Sequence, residues 1–550
     1  MGKHQILGKA LVAMVAAATL LSACGGGSQP AAPAPSGPAP APVAGFKSNT
    51  PKDVLVVTMD SDIDNLDPQG YRSPAAYTVD FNTYSLPVNF AQKKRDDGAI
   101  IVDTENLTGT LADLTISKDL REYTWKIKAG GKFTNGNPVN ADAMVFSMQR
   151  ALLGPTYTRL VYTLIGFKDA NQIQKVDDMT VKVTLPKGTA MAPKIFALGV
   201  NALVDPKTTQ DHATAEDKWA ATWYKTNVAG TGPYVVDKWT TGSELDLKVA
   251  PGFETQVPNK GVVMKIVTDA DQRFALLKKG DVDIAQGIPL KEMDNLKKDP
   301  NLKVWDFPSR AFYYLAMDNT KPPFNNPLVR QAVAYAVPYQ TIIDKVLYGY
   351  ARQAKSALAV EMPGYDASAW HYDTSLDKAK QLMQQAGVGS SGIKTQLYVS
   401  LSRTEDQQVA IWVQANLKQI GIDAEITKLS EADYRAKWKA RELPMFFDNW
   451  LSWVNDPVYQ LNFLFTSPNQ GTNPGGYANK AFDDLVQSAF YEIDPAKQAQ
   501  IIKDAQKMLM NDMPVVPLYQ RDDVFVTQKN VQGMNYWADR YLRFYLMSKQ

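Results

Sequence analysis

Apolar and polar positions along this chain change their period partway through, and the change divides it into a strand-rich and a helix-rich stretch. Residues 54–58 form an unbroken apolar run of the kind that fills a buried strand. Tyr123, Trp125 and Ile127 alternate with Thr124, Lys126 and Lys128, and Met179, Val181, Val183 and Leu185 alternate with Thr180, Lys182 and Thr184. That period of two predicts half-buried strands. Asn140 stands before a helical pattern over 141–153 as a plausible cap. Asn135-Gly136 and Gly232-Pro233 punctuate the strands as turns.

Past residue 320 the period lengthens. Pro327 opens a helix with Val329, Val333 and Ala336 on one face, and Pro338 breaks it before Ile342, Ile343 and Val346. Ser375 caps a helix carrying Leu376, Ala379, Met383 and Ala386, which Gly387 ends. A strand over 395–400 leads to a helix bearing Val409, Val413, Leu417 and Ile420, terminated by Gly421. Ile422, Ala424 and Ile426 then alternate as a new strand. Strand, helix and strand in about 30 residues predict a βαβ unit with a parallel pair and a right-handed crossover. Asp494-Pro495 starts the last helix, with Ile501, Ala505 and Met508 as its apolar face, and 515–519 and 523–527 read as closing strands.

The first 24 residues have a different layout. Lys3 and Lys9 precede an apolar run over 10–21, followed by Leu21-Ser22-Ala23-Cys24. A positive start, a short apolar core and small residues before a cut site are the parts of a secretory signal peptide. The run is too short to span a hydrocarbon layer of ~30 Å. The tetrapeptide resembles a bacterial lipobox, in which Cys24 is lipid-modified and becomes the mature N-terminus; a plain signal peptide with an incidental cysteine is the alternative. Residues 25–50 are dominated by Gly, Ser, Pro and Ala and read as an extended tether. These features predict a cell-envelope protein, lipid-anchored on the outer face of the cytoplasmic membrane.

Composition narrows the chemistry. Hydrophobic residues make up 45% and charged residues 21%, as in an ordinary globular protein. The net charge of +2 and the lack of any basic run give no hint of a nucleic-acid partner. Cys24 is the one cysteine, so the body has no disulfide, and outside the leader only His212 and His371 remain. Zinc, iron and copper sites and Cys-His or Ser-His-Asp catalysis are poorly supplied by that inventory. No metal and no cofactor is expected, and no enzyme. The formal S-x-x-K at Ser375-Leu376-Asp377-Lys378 is a hydrolase pattern, but it sits where serine is an ordinary helix cap. An exported hydrolase using a carboxylate pair stays open as an alternative. The 11 Trp and 25 Tyr suit either a core or an aromatic ligand site.

A series of short motifs carries a resemblance. Leu66-Asp67-Pro68 follows the first strand, then come Leu111-Ala112-Asp113, Ser117-Lys118-Asp119 and Tyr123-Thr124-Trp125. Lys132-Phe133-Thr134-Asn135-Gly136-Asn137-Pro138-Val139 precedes Ala141-Asp142, Phe146-Ser147 and Arg150. Gly230-Thr231-Gly232-Pro233-Tyr234, the stretch from Leu277 to Asp283, Pro323-Phe324, and Val329-Arg330-Gln331-Ala332 continue the order. Leu382, Ala386-Gly387, Gly421-Ile422, Asp512-Met513-Pro514 and Val516-Pro517-Leu518-Tyr519 complete it. In this order they resemble the dipeptide/oligopeptide-binding family (family 5) of extracellular solute-binding proteins of ABC importers.

The resemblance implies a two-lobed α/β fold of the type II periplasmic-binding-protein class with an extra subdomain in lobe I. Lobe I is expected over 51–311 plus 516–550, with the extra subdomain over roughly 69–185, and lobe II over 312–515. A ligand enclosed where the lobes meet would be trapped by hinge closure. The implied partners are a small solute (peptide or another amphipathic molecule), the permease and ATPase subunits of the importer, and a membrane through the lipid anchor. A monomer with no nucleic-acid partner is expected, and a solute sensor on the same fold is a further alternative. The quoted motifs are mostly structural: Gly232-Pro233 reads as a backbone turn, and Arg330 as an internal pair or a helix cap.

Peptide-binding relatives carry a cleft stretch in which an aspartate pairs with the ligand's α-ammonium. Here that stretch is Asn449-Trp450-Leu451-Ser452-Trp453-Val454-Asn455-Asp456-Pro457, and Trp453 stands where the carboxylate is expected. Removing one partner of a buried charge pair typically costs about 2–5 kcal/mol. Asp448, Asn455 or Asp456 could substitute from another direction. Trp450 and Trp453 suggest a flat apolar platform for a ring, an alkyl chain or a cation over the π-face; the competing reading is that either packs in the core. Arg403, after the 395–400 strand, is a candidate for a ligand carboxylate or a solvated arginine. Tyr84 and Tyr71 lie in a segment expected to face the cleft, and Asn319 reads as a hinge element.

Overall fold

The computed structural model describes residues 48–70, 73–390, 392–469, 471–537 and 539–550. Cys24 and Tyr71, two of the residues singled out above, lie outside them. The described residues fall into two compact units: the chain up to Phe307 together with Val524–Gln550, and the continuous segment Pro308–Asp523. The second crossing thus comes at 524, against 516 expected. The strand Val515–Arg521 explains the difference, because it pairs antiparallel with both Phe312–Met317 and Ala351–Gln353.

In the first unit, Val54–Met59 (VLVVTM) is the central strand, buried at five of its six positions. It runs parallel to Gly261–Ile266 and to Ile284–Gln286 within a seven-stranded sheet. An apolar run fits such a place because both faces of the strand are covered. A buried carboxylate ties its start: Asp283 accepts from the Val56 amide at 2.8 Å, from Thr50 at 2.7 Å and from Lys549 at 3.0 Å. The alternating segments 123–127 and 179–185 form the strands Glu122–Ile127 and Thr180–Thr184 of a four-stranded sheet. Ala141–Leu153 starts under an Asn140 cap, as its sequence predicts.

Two of the quoted motifs meet in this unit. Arg150 grips Asp67 through two bonds of 2.9 and 2.7 Å, with both side chains buried. Gly230 and Gly232 serve a close approach, where Gly232-Pro233 was expected only to turn the backbone. A Cβ on Gly232 would lie 2.4 Å from the carbonyl carbon of Thr83, and one on Gly230 2.1 Å from the Thr83 oxygen.

The second unit is built on a six-stranded sheet in the order Ala351–Gln353, Val515–Arg521, Phe312–Met317, Met445–Trp450, Ile393–Ser400, Ile422–Leu429. The last two are parallel and joined by the helix Thr404–Gln419, which buries Val409, Val413 and Leu417. This is the predicted βαβ unit. Pro327–Ala336 and Tyr339–Lys345 are separate helices around Pro338. Arg330 caps a helix: its guanidinium donates to the carbonyls of Asp512, Met513 and Phe324. Ser375 caps Leu376–Gln385 by accepting from the Lys378 amide, so the S-x-x-K serine is engaged as a cap.

One helix is turned relative to expectation. Pro495–Asp512 buries Ile502, Ala505 and Leu509, where the sequence suggested Ile501, Ala505 and Met508. Gln506 accounts for the rotation. It is 1% exposed, bonds Ser356 Oγ at 2.6 Å, accepts from the Asp366 amide and donates to the Gly364 carbonyl. A polar side chain with three such partners can share the buried face.

Candidate functional site

The strand Met445–Trp450 (MFFDNW) lies inside the six-stranded sheet, between Phe312–Met317 and Ile393–Ser400. Alternate residues of a strand share a face, which places Phe446, Asp448 and Trp450 together. Cross-strand register sets Asp448 opposite Tyr314 and Trp450 opposite Phe312. Asp448 is 4% exposed and surrounded by cations. Arg403 donates to it at 2.8 Å, and Arg435 contributes bonds of 3.1 and 3.3 Å.

Glu431 completes the cluster, reaching Arg403 at 3.2 Å and Arg435 at 2.9 Å. Ser402 also donates to Glu431 at 3.0 Å. Each guanidinium lies 5.4 Å from the centre of the Tyr434 ring. Burial works against the Arg403 charge, but Asp448, Asp406, Tyr434 and Glu431 outweigh it and hold its pKa above the ordinary value. Burial lifts the Asp406 carboxyl to about 7, against the pull of Arg403, which stands 3.9 Å away. Burial likewise raises the hydroxyls of Tyr314 and Tyr434 well above 10, with Asp448 adding to it, and the Tyr434 hydroxyl donates to the Phe447 carbonyl.

Trp450 packs into this unit with its ring 6.3 Å from Tyr459 and 6.0 Å from Phe463. Its indole N–H donates to Ser452 Oγ at 3.0 Å, which donates in turn to Gln460. Asp456 caps the helix Pro457–Phe465, accepting from the amides of Val458 and Tyr459. Trp453 and Asn455 are buried in the connection between strand and helix, at 7% and 4% exposure.

Of the sequence candidates, the structure therefore joins Arg403 and Asp448 directly and sets Trp450, Trp453, Asn455 and Asp456 along the adjoining connection. Tyr84 is elsewhere. It packs in the other unit with Leu86, Val204 and Tyr224, and its hydroxyl accepts from the Ala229 amide. Asn319 donates to the carbonyls of Met317 and Pro514 within the second unit. Arg435, Glu431 and Asp406 were not singled out from sequence. The spacing Glu431 to Arg435, one helical turn apart in Glu431–Lys439, was the available signal for two of them.

Comparison with known proteins identifies the class. The profile of the bacterial extracellular solute-binding proteins, family 5 (middle region) matches residues 106–472. The chain belongs to that family. It is 29% identical over 496 residues to the probable D,D-dipeptide-binding periplasmic protein DdpA of Escherichia coli K12, covering 88% of this chain and 91% of the relative. It is equally 29% identical over 497 residues to the glutathione-binding protein GsiB of Shigella flexneri serotype 5b, with the same coverage. The crystal structure of the ABC transporter substrate binding protein CtaP from Listeria monocytogenes shares the fold, with a TM-score of 0.79, 20% identity, and 90% of this chain and 100% of that one covered. The protein is thus an extracytoplasmic solute-binding component of an ABC transporter.

Proposed function

We propose that this chain captures a short peptide or a comparable amphipathic solute outside the cytoplasmic membrane and hands it to an importer's permease, while held to the membrane by a lipid on Cys24. Family membership across residues 106–472 carries the reading. The names of DdpA and GsiB, a dipeptide-binding and a glutathione-binding protein, favour a peptide-like solute. Leu21-Ser22-Ala23-Cys24 and the following Gly/Pro/Ala stretch support the anchor. The proposed contacts with solute are Trp450, Trp453 and Asn455, with Asp448, Arg403 and Asp456 as the charged groups behind them.

Native mass spectrometry of the full chain, purified without unfolding, tests the capture. A retained small molecule, released unchanged and able to raise the melting temperature when added back, is expected; recovery of cleaved products would instead indicate a hydrolase. A binder is stabilised as RT ln(1 + [L]/Kd), about 2.7 kcal/mol at a hundredfold excess over Kd. For the anchor, Cys24→Ala is expected to abolish palmitate labelling and release the protein from the membrane fraction. Unchanged labelling rejects the anchor.

A further inference from the structure

The chain crosses between the two compact units twice, after Phe307 and after Asp523. Both connections are short. The first runs from the strand Leu302–Phe307 through Pro308, Ser309, Arg310 and Ala311 to Phe312–Met317. The second runs from Val515–Arg521 through Asp522 to Asp523–Gln528. In the 308–523 unit they join neighbouring strands, with Phe312 opposite Gln520. Arg352, on Ala351–Gln353, stands opposite Gln520 from the other side.

Arg352 holds both connections at once. Its guanidinium donates to the Ser309 carbonyl at 3.2 Å on the first and to the Asp522 carboxylate at 2.9 Å on the second. Glu361 accepts from the same guanidinium and takes a further bond from Gln520 Nε2 at 3.0 Å. Gln520 also donates to the Ser309 carbonyl at 3.2 Å, and its side-chain oxygen accepts from the Val360 amide at 2.9 Å. The Asp522 amide donates to the Tyr350 carbonyl at 2.9 Å. Next along the first connection, Arg310 donates to the Ser452 carbonyl at 3.4 Å, which ties it to the stretch carrying Trp450 and Trp453.

A planar guanidinium with its donors set in a fork bridges acceptors that a single ammonium does not hold together. The Arg352 side chain is 28% exposed, so each pair alone contributes little, and the effect lies in the network. These bonds reach Ser309 on one connection and Asp522 on the other. Just before Ser309, Pro308 has its φ fixed by its ring. Rotation of one unit against another is absorbed by a few residues at the ends of elements.

We infer that Arg352 is a positioning residue for solute capture: it fixes both connections to the 308–523 unit and confines bending to residues 307–308 and 523–524. It thereby sets how narrowly the solute-free protein is held ready to close. The inference rests on the capture reading proposed above, and deepens it.

Pulsed electron paramagnetic resonance tests this on the full chain carrying Cys24→Ser, with spin labels at Lys94→Cys and Lys418→Cys, one exposed position in each unit. Without added solute, Arg352→Ala is expected to widen the distribution of label distances at least twofold. Arg352→Lys keeps the charge but cannot bridge the three acceptors, and should widen it at least twofold as well. A parental width in either folded variant overturns the inference. An arginine that only stabilised its own unit would lower the melting temperature and leave the width alone. If neither variant folds, Asp522→Ala, which releases the second connection alone, is read the same way. Native mass spectrometry keeps the two readings apart: a parent chain that retains no solute would remove the capture reading, while the distances still decide the role of Arg352.

Discussion

Asp406 shows how a single residue connects burial to a measurable pH dependence. Its carboxyl is raised to about 7 by desolvation, against 3.8 for an unperturbed group. The folded state therefore binds more protons than the unfolded state between those values, and stability falls as pH rises from about 4 to about 7. The stake is on the order of 2–4 kcal/mol. Asp406→Asn removes the proton exchange, so denaturant titrations at several pH values should show a flatter profile and a variant more stable than the parent at pH 8. Trp453 makes the complementary prediction for function. Trp453→Ala should weaken binding of the retained solute at least tenfold while circular dichroism stays native; equal affinities in titration calorimetry would remove it from the site. Arg403 and Asp448 were both visible as candidates, but not as partners, because they are 45 positions apart and only strand order brings them together.

At the level of elements, the parts that repeat with one period were legible and the parts set by neighbours were not. The βαβ unit of Ile393–Ser400, Thr404–Gln419 and Ile422–Leu429 follows from apolar spacing and a terminating glycine. Gly421 has φ +84 and open space where a Cβ would go, so the penalty of a side chain there is backbone strain alone. Gly421→Ala should lower unfolding free energy by about 1–2 kcal/mol, with asparagine milder, as read from urea titrations. Gly232 differs, since its Cβ would meet Thr83 backbone at 2.4 Å. Gly232→Ala should reduce soluble yield and melting temperature more than Gly421→Ala does. The rotated face of Pro495–Asp512 was not legible because Gln506 counts as polar in any pattern, yet is buried by its partners at 356, 364 and 366.

On the scale of the whole molecule, Pro308–Asp523 is one continuous segment with a complete six-stranded sheet, whereas the other unit needs the C-terminal strands from Val524 onward. Val526 and Phe525 pair with Ala285 and Gln286 there, far from them in sequence. Expressed alone, residues 308–523 should give a folded, cooperatively melting protein, while a chain ending at 523 should lose the first unit's cooperative transition in calorimetry. Persistence of both transitions in the truncated chain would contradict this reading of the division.

Sequence alone determined the α/β class, the starts and stops of its most regular helices and the family motifs. These depend on local periodicity, capping and turn chemistry, which act over a few residues. Tertiary structure decided that Asp67 belongs to Arg150, that Gly230 and Gly232 make room for Thr83, and that Asp448 is shared by Arg403 and Arg435. Charge pairing and close packing depend on distance in space, and only the order of strands in the sheets sets those distances.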